Sequence, residues 1–553
     1  WNMKELLDQL LSIGGSKPHQ VACTTAAIGI GAIYGPKFYK WFRKSVEDEG
    51  LRKTLLRPLL GIANRVPGLL DKNTKDAIEG IANDFRKLYE PSEDEKQVAK
   101  FDVTSIPEDG RSTSFILELL EEWSDVEVKK WKDGQNSGTV YHGGLELRKF
   151  LNDVNGMYSL SNPLHAETFP YTRKMEQQVI RMTCSLFNGD KNSCGAMTSG
   201  GTESILCAMK AYRDQAQARG NSHPEIIAAT TVHAAFDKAA KYFGIKLVLI
   251  KVDEKTSLMN LRHLESQINS NTAVLVGSAP NFPHGVIDQI PELGRIAQRH
   301  KIGLHVDCCL GGFIVPFLEH IKFDPPLDDF PLFDFRVPGV TSISADTHKY
   351  GFAPKGTSVV MYRSKELRKY QYSLCVDWSG GVYATPTLAG SRAGGSIATT
   401  WAAMIHMGRT GYKKCVKGII TAARDIRDGI KTIDDLRVIG NPVSSVVAFS
   451  SNPDVENPLN IFMVSQSMKK KGWNLSTLQN PSALHIACTF LHVNRAQQFL
   501  KSLREACAEV REDPSKFNDA TVALYGAAEM LPTGSGVLDN IVIGYLDCYF
   551  DVE

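Results

Sequence analysis

SISADTHKYGFAPKG, residues 342–356, opens with an apolar run that stops at Ala345 and turns polar at Asp346, Thr347, His348 and Lys349. The first part reads as a short strand and the second as the loop beyond its carboxyl end. A lysine in a loop is by default a solvated surface residue. This one stands where an amine would meet a ligand, because open α/β sheets bind ligands beyond the carboxyl ends of their strands. The rest of the chain decides between the two readings.

Around that stretch stand EIIAATT (225–231), KLVLIKV (246–252), TAVLVGSAP (272–280), IGLHVDCC (302–309) and SVVMYR (358–363). Each is apolar on successive residues, as a strand covered on both faces is. Helical stretches lie between most of them, which predicts a doubly wound α/β sheet. The expected large domain spans 161–412, preceded by an N-terminal segment of the same unit over 105–160. After about residue 412 the helical KKCVKGIITAARDIRDGIKTI leads to the strand-like LRVIG, VSSVVAFSS and ALHIACTF. That part, 413–553, reads as a small α+β domain.

Composition sets wider bounds. The chain has 553 residues, of which 43% are hydrophobic and 22% charged, enough for a large core. A net charge of +2 gives no global field for nucleic acid. The 11 cysteines are scattered without a CxxC pair, so zinc-ribbon and thioredoxin readings fail and no metal is expected. Cys308 and Cys309 are adjacent, which disfavours a disulfide between them. Scattered thiols suit a reducing compartment and a catalytic part facing the cytosol.

The N-terminus stands apart. From Pro18 to Pro36 no residue is formally charged, and KFYKWFRKS follows. An apolar stretch with a basic, aromatic flank predicts a membrane span at about 18–36, within a tail of residues 1–44, with its C-terminal side in the cytosol. A buried helix or a cleaved signal peptide are the alternatives. Residues 45–104 read as an amphipathic helical linker, either on a membrane surface or solvated.

Three further stretches supply partners for Lys349. Asp307 closes the strand of IGLHVDCCLGG, and a carboxylate embedded there needs a partner. A protonated ring nitrogen, as in pyridoxal 5′-phosphate (PLP), is one; a strand-end cap or a metal are the others. In AMTSGGTESILCAMKAY (196–212), Ser199, Gly200, Gly201 and Thr202 run into a helical pattern, forming a phosphate cradle or a plain glycine turn. His233 follows EIIAATT and would stack on a cofactor ring or remain an ordinary surface histidine.

In this order the elements resemble the fold-type-I PLP enzymes of the group II decarboxylase type. NPLH (162–165), SLFNG (185–189), TSGGTESIL (198–206), FPHGVID (282–288), SISADTHKYGFAPKG and AGSR (389–392) are similar, within that group, to the sphingosine-1-phosphate lyase family, over roughly residues 105–550. The resemblance implies a large mixed or parallel sheet, a small C-terminal domain and a homodimer. It implies Lys349 as the Schiff-base lysine, Asp307 at the pyridine nitrogen and His233 on the ring. Ser199, Gly200, Gly201, Thr202 and His348 complete the cofactor site. Tyr141, His165, Lys355 and Tyr383 are implied to face the substrate, a phosphorylated sphingoid base. The implied reaction is retro-aldol cleavage of its C2–C3 bond to a long-chain aldehyde and phosphoethanolamine. Lys349, His233, Tyr141 and the substrate phosphate all remain conceivable bases. Lys349 is expected to be a desolvated amine with cationic neighbours. The resemblance also implies a single-pass endoplasmic reticulum membrane protein. The chain departs from the family pattern at Cys308, where alanine is more usual, and at His142. An amino-acid α-decarboxylase and a non-catalytic, membrane-tethered scaffold are the competing functions.

Overall fold

The computed structural model describes residues 101, 103–517 and 537–550. The span expected at 18–36 and nearly all of the 45–104 linker lie outside the described residues. Among the described residues no helix is long and apolar enough to cross a membrane. The chain forms two compact units, residues 1–126 with 515–553, and residues 127–514. In the first, Phe101 meets Phe115 of the helix Thr113–Trp131 edge-on at 5.4 Å, and Val537–Phe550 forms a second helix.

The second unit holds a seven-stranded mixed sheet. Its strands are β1 (Cys194–Thr198), β2 (Glu225–Ala229), β3 (Lys246–Ile250), β4 (Thr272–Ser278), β5 (Gly303–Asp307), β6 (Ser342–Ala345) and β7 (Ser358–Tyr362). The order is β1-β7-β6-β5-β4-β2-β3, with β7 antiparallel to both neighbours and the remaining pairs parallel. Every expected strand is present. One strand of this sheet is additional to those expected: β1, from CGAMT, whose Gly195 lies so close to the Val360 backbone that a Cβ would not fit. One detail needs correcting. KLVLI was read as covered on both faces, yet β3 is an edge strand of the sheet and leaves Lys246 and Leu249 exposed.

The helix Gly201–Ala218 packs Ile205, Met209 and Tyr212 against Val274, Val276 and Val360 of the sheet. Burial of this face stabilises the sheet on its helix side, about 1.5–3 kcal/mol for each large side chain. The helix Ala235–Phe243 stops at Gly244, whose φ of 62° is the left-handed turn that glycine tolerates best. Two further short strands, β8 (Ser373–Cys375) and β9 (Tyr383–Thr385), make an antiparallel pair.

A long helical stretch, Gly394–Ile430, runs through the boundary drawn at 412/413; its break is at Gly408, with φ 54° and ψ 174°. Beyond it, β10 (Leu436–Val438), β11 (Val446–Ser451), β12 (Ser476–Leu478) and β13 (Ala483–Ala487) form an antiparallel sheet in the order β10-β11-β13-β12. The helices Ile461–Lys470 and Ala496–Glu512 pack in this part, with Trp473 buried edge-on to Phe499 at 5.1 Å.

Candidate active site

The parallel strands all end on one edge of the sheet, and the candidate residues lie at those ends. Ser199–Thr202 follow β1, His233 follows β2, Asp307 ends β5, and His348 and Lys349 follow β6. A cavity of about 300 Å³ is lined by Gly200, Gly201, Thr202, His233, His348 and Lys349, among others.

Asp307 is buried, 7% exposed. Its Oδ1 accepts from the Cys309 amide at 2.9 Å and from the Ser344 hydroxyl at 3.2 Å. Burial pushes its carboxyl up, but the His233 imidazole and the Cys309 donors outweigh that and hold it below the usual value. An ionised carboxylate is therefore built into the sheet edge, which suits a cationic ring nitrogen. Both neighbouring cysteines are buried, and burial and the carboxylates around them push both thiols far up. They behave as small apolar groups, so cysteine at 308 costs the site little.

Lys349 Nζ lies 3.0 Å from Asp346 Oδ2. This corrects the expectation of a lysine dominated by cationic neighbours. Burial lowers its pKa, but Asp346, helped by Cys309 and Tyr141, more than reverses this and raises it. The cationic effect falls instead on Lys355, lowered by burial and then by the charge of Lys349. His348 is pulled down chiefly by burial, and its Nδ1 accepts the Thr357 amide at 3.3 Å.

The anion cradle is the start of the helix Gly201–Ala218, whose first-turn N–H groups have no intrahelical acceptors. A Cβ on Gly201 would meet Asp346 Oδ1 and Cys309 Sγ at 2.8 Å, so only glycine fits. Glu203, 8% exposed, braces the loop: Oε2 accepts from Ser199 N at 2.6 Å and Oε1 from Leu388 N at 3.1 Å. The glycine cradle, the ionised Asp307 and the lysine fit a phosphorylated pyridine aldehyde.

A second cavity, about 350 Å³, shares His348 and Lys349 with the first and is lined also by Tyr141, Leu147, Phe352 and Lys355. Lys355 Nζ stands 4.6 Å above the Tyr141 ring. Burial pushes the Tyr141 phenol up to about 12, against the Lys349 charge, so it is a donor at neutral pH. His142 stacks on Phe490 at 4.9 Å and accepts the Gly144 amide at 3.1 Å. The departure at this position therefore lines the same cavity.

His165 and Tyr383 line neither cavity, and both are exposed. Asn162 of NPLH donates to Ser391 at 3.0 Å and accepts from Arg392 N at 3.2 Å, which joins that block to AGSR. Tyr383 packs edge-on to Trp378 at 5.8 Å. Sequence reasoning missed Asp346, Glu203 and His305. Asp346 had a signal, three residues before Lys349; the other two depend on contacts across the fold.

Residues 96–452 match the pyridoxal-dependent decarboxylase conserved domain. The glutamate decarboxylase of Lactobacillus brevis shares the fold at a TM-score of 0.64 and 20% identity, over 75% of this chain and 96% of that one. The sphingosine-1-phosphate lyase 1 of Rattus norvegicus is 45% identical over 477 residues, 86% of this chain and 80% of that protein. The sphingosine-1-phosphate lyase of Saccharomyces cerevisiae is 44% identical, over 85% of this chain and 80% of that protein. The solved sphingosine-1-phosphate lyase of Burkholderia pseudomallei aligns at a TM-score of 0.74 and 37% identity, over 82% of this chain and 99% of that one. This chain belongs to the pyridoxal-dependent decarboxylase family, and within it to the sphingosine-1-phosphate lyases.

Proposed function

We propose that this protein is a PLP-dependent lyase of sphingolipid degradation, which cleaves the C2–C3 bond of phosphorylated sphingoid bases to a long-chain aldehyde and phosphoethanolamine. The observation that carries the reading is the placing of Lys349 at the seam of two cavities, one with an anion cradle, the other with a lysine and apolar walls. When bound, the cofactor supplies an electron sink for the pair released as the bond breaks.

The chain's residues divide that work. Lys349 carries the cofactor covalently. Ser199, Gly200, Gly201, Thr202 and His348 hold its phosphate, His233 lies against its ring, and Asp307 keeps the ring nitrogen protonated. Lys355 draws the substrate phosphate into the second cavity, and Tyr141 donates a hydrogen bond there. Leu147 and Phe352 receive the first part of the hydrocarbon chain. His165 and Tyr383 belong to the outer pocket.

The same reading includes a large domain, 161–412, and a small one, 413–553. It includes a homodimer, supported by the hairpin of β8 and β9, where Leu374, Val376, Trp378 and Val382 are all more than half exposed. It also includes a span at about 18–36 in the endoplasmic reticulum membrane with the catalytic part in the cytosol, which brings the enzyme to an amphipathic substrate.

Incubation with PLP and sphingosine 1-phosphate is expected to release a long-chain aldehyde, and Lys349→Ala is expected to abolish it. Release of CO2 from an amino acid, with no aldehyde, would establish the decarboxylase reading instead.

A further inference from the structure

β5 and β6 are parallel neighbours with His305 opposite Ser342 and Asp307 opposite Ser344. Strand alternation puts residues 303, 305 and 307 on one face of β5, with 342 and 344 on the same face of β6. There the side chains form a continuous hydrogen-bonded line. Ser344 Oγ donates to Asp307 Oδ1 at 3.2 Å, and His305 Nε2 lies 3.2 Å from Ser344 Oγ. His305 Nδ1 lies 2.7 Å from Ser342 Oγ, which is 2.7 Å from the Tyr212 hydroxyl. Tyr212 in turn meets Thr341 Oγ1 at 2.7 Å. Tyr212 comes from the helix that begins at the anion cradle, and its ring occupies the space a Cβ on Gly303 would need. His305, Ser342 and Ser344 are fully buried.

Counting protons fixes the direction of this line. An ionised carboxylate only accepts, and a hydroxyl has one proton to give. Ser344 gives its proton to Asp307, so it must accept from His305 Nε2. Burial pushes the imidazole down to about 4, so it is neutral at working pH and its Nδ1 is an acceptor. Ser342 then donates to Nδ1, and Tyr212 donates to Ser342. From Tyr212 to Asp307 the protons point towards the site, while the Thr341 hydroxyl beyond them donates to the Leu304 carbonyl at 3.1 Å.

We propose that His305 is a positioning residue for Asp307: fixed as the Nε2–H tautomer by Ser342 and Tyr212, it supplies the donor that keeps the one proton of Ser344 on the Asp307 carboxylate. The proposal rests on the reading that Asp307 holds a protonated pyridine nitrogen, and it adds the device that keeps the carboxylate ionised and aimed. The other groups acting on Asp307 are the His233 imidazole and the Cys309 amide and thiol, with the amide 2.9 Å from Oδ1; the Asp288 carboxyl also feels the charge of Asp307, and the Phe236 ring faces His305 edge-on at 5.9 Å. The Cys309 amide donates to the same oxygen as Ser344, but its proton is fixed on the backbone, whereas the Ser344 proton is the one whose direction His305 sets.

Two measurements test it. In cofactor-free protein labelled with 15N histidine, His305, assigned by its loss in His305→Gln, is expected as a neutral Nε2–H imidazole whose shifts stay constant between about pH 6 and 9. An Nδ1–H tautomer or an imidazolium overturns the proposal. In protein loaded with PLP labelled with 15N at the ring nitrogen, His305→Leu is expected to shift that resonance towards the unprotonated form. kcat is expected to fall about tenfold with KM nearly unchanged. His305→Gln, whose amide N–H stands in for Nε2, is expected to recover most of both. A His305→Leu protein with the resonance and kcat of the unaltered chain refutes the proposal. If that variant does not fold, Ser342→Ala, which touches neither Asp307 nor the cofactor, is expected to move the resonance in the same direction, and an unmoved resonance refutes it. If the unaltered protein with PLP forms no visible band, the cofactor reading fails, and the histidine spectrum still decides the tautomer.

Discussion

Mild acid is expected to unfold this protein through four imidazoles. His284, His305, His485 and His492 are each at most 2% exposed, and burial pushes each down to about 4 from an ordinary 6.5. Unfolded, each takes up a proton near 6.5; folded, only near 4. Groups of this kind contribute stability that is complete above 6.5 and is lost as the pH falls towards 4. Asp288 works in the opposite direction: burial holds its carboxyl up at about 7 from 3.8, so near pH 5 it loses a proton on unfolding. Four protons taken up against one released leaves three, which corresponds to a loss of roughly 4 kcal/mol per pH unit near pH 5. His284 and His485 disfavour each other's charge, so they titrate as a pair and broaden the transition. Two pH units at that slope match the whole stability of an ordinary domain, about 5–15 kcal/mol. Thermal unfolding followed by circular dichroism is expected to show a midpoint about 6 °C lower at pH 5 than at pH 7. A midpoint that moves by less than about 3 °C would refute the reasoning. His492→Asn keeps an acceptor for the Thr489 amide, 2.9 Å from Nδ1 in the unaltered chain, and removes one titrating group. It is expected to reduce the slope by about a third, and an unchanged slope would show that these imidazoles are not the cause.

Other expectations concern the site. Asp346→Asn removes the carboxylate that raises Lys349, so the lysine is expected to titrate lower than in the unaltered chain. The free protein would then capture PLP faster near neutral pH, which stopped-flow absorbance reads; an unchanged pH profile would refute the ion pair's role. Gly201→Ala places a Cβ against Asp346 and Cys309, and is expected to weaken PLP binding about 10-fold or more in a fluorescence titration of the cofactor-free protein. Lys355→Gln is expected to raise KM for the phosphorylated base about 10-fold or more with a smaller effect on kcat. If KM is unaffected, the substrate phosphate is read elsewhere.

The parts of the fold legible in the sequence were those whose own composition carries the signal. Runs such as TAVLV and SVVMY are Val-rich and largely apolar on successive residues and read as buried strands without their neighbours. β1 did not, because Cys-Gly-Ala-Met-Thr has a β-branched residue only at its end, and its strand form comes from pairing with β7. β3 has the composition of a central strand and an edge position, which only the strand order reveals. Lys349, Asp307, His233 and the glycine loop were legible as a set because each follows or ends a strand, and parallel strands bring such residues to one edge. His305 was illegible for the opposite reason. Its importance lies in facing Ser342 across a register that no local pattern encodes.

The two cavities treat their anions differently. The cradle behind Gly200 and Gly201 offers helix N–H groups, with Asp346 close by. Lys349 and Asp346 pair at 3.0 Å, so the lysine's charge is already matched before any ligand enters. Such a site suits a cofactor phosphate held by many short, directional contacts. Across the seam, Lys355 faces the Tyr141 ring instead of a carboxylate, and burial together with Lys349 makes its charge costly. A phosphate entering there is met by a cation in a half-enclosed space, where attraction is strong and little screened. The charge that burial penalises at Lys355 would be offset by a bound phosphate. If Lys355 reads the substrate phosphate as proposed, recognition there would depend on the substrate's own charge, and an unphosphorylated base would leave that lysine unmatched.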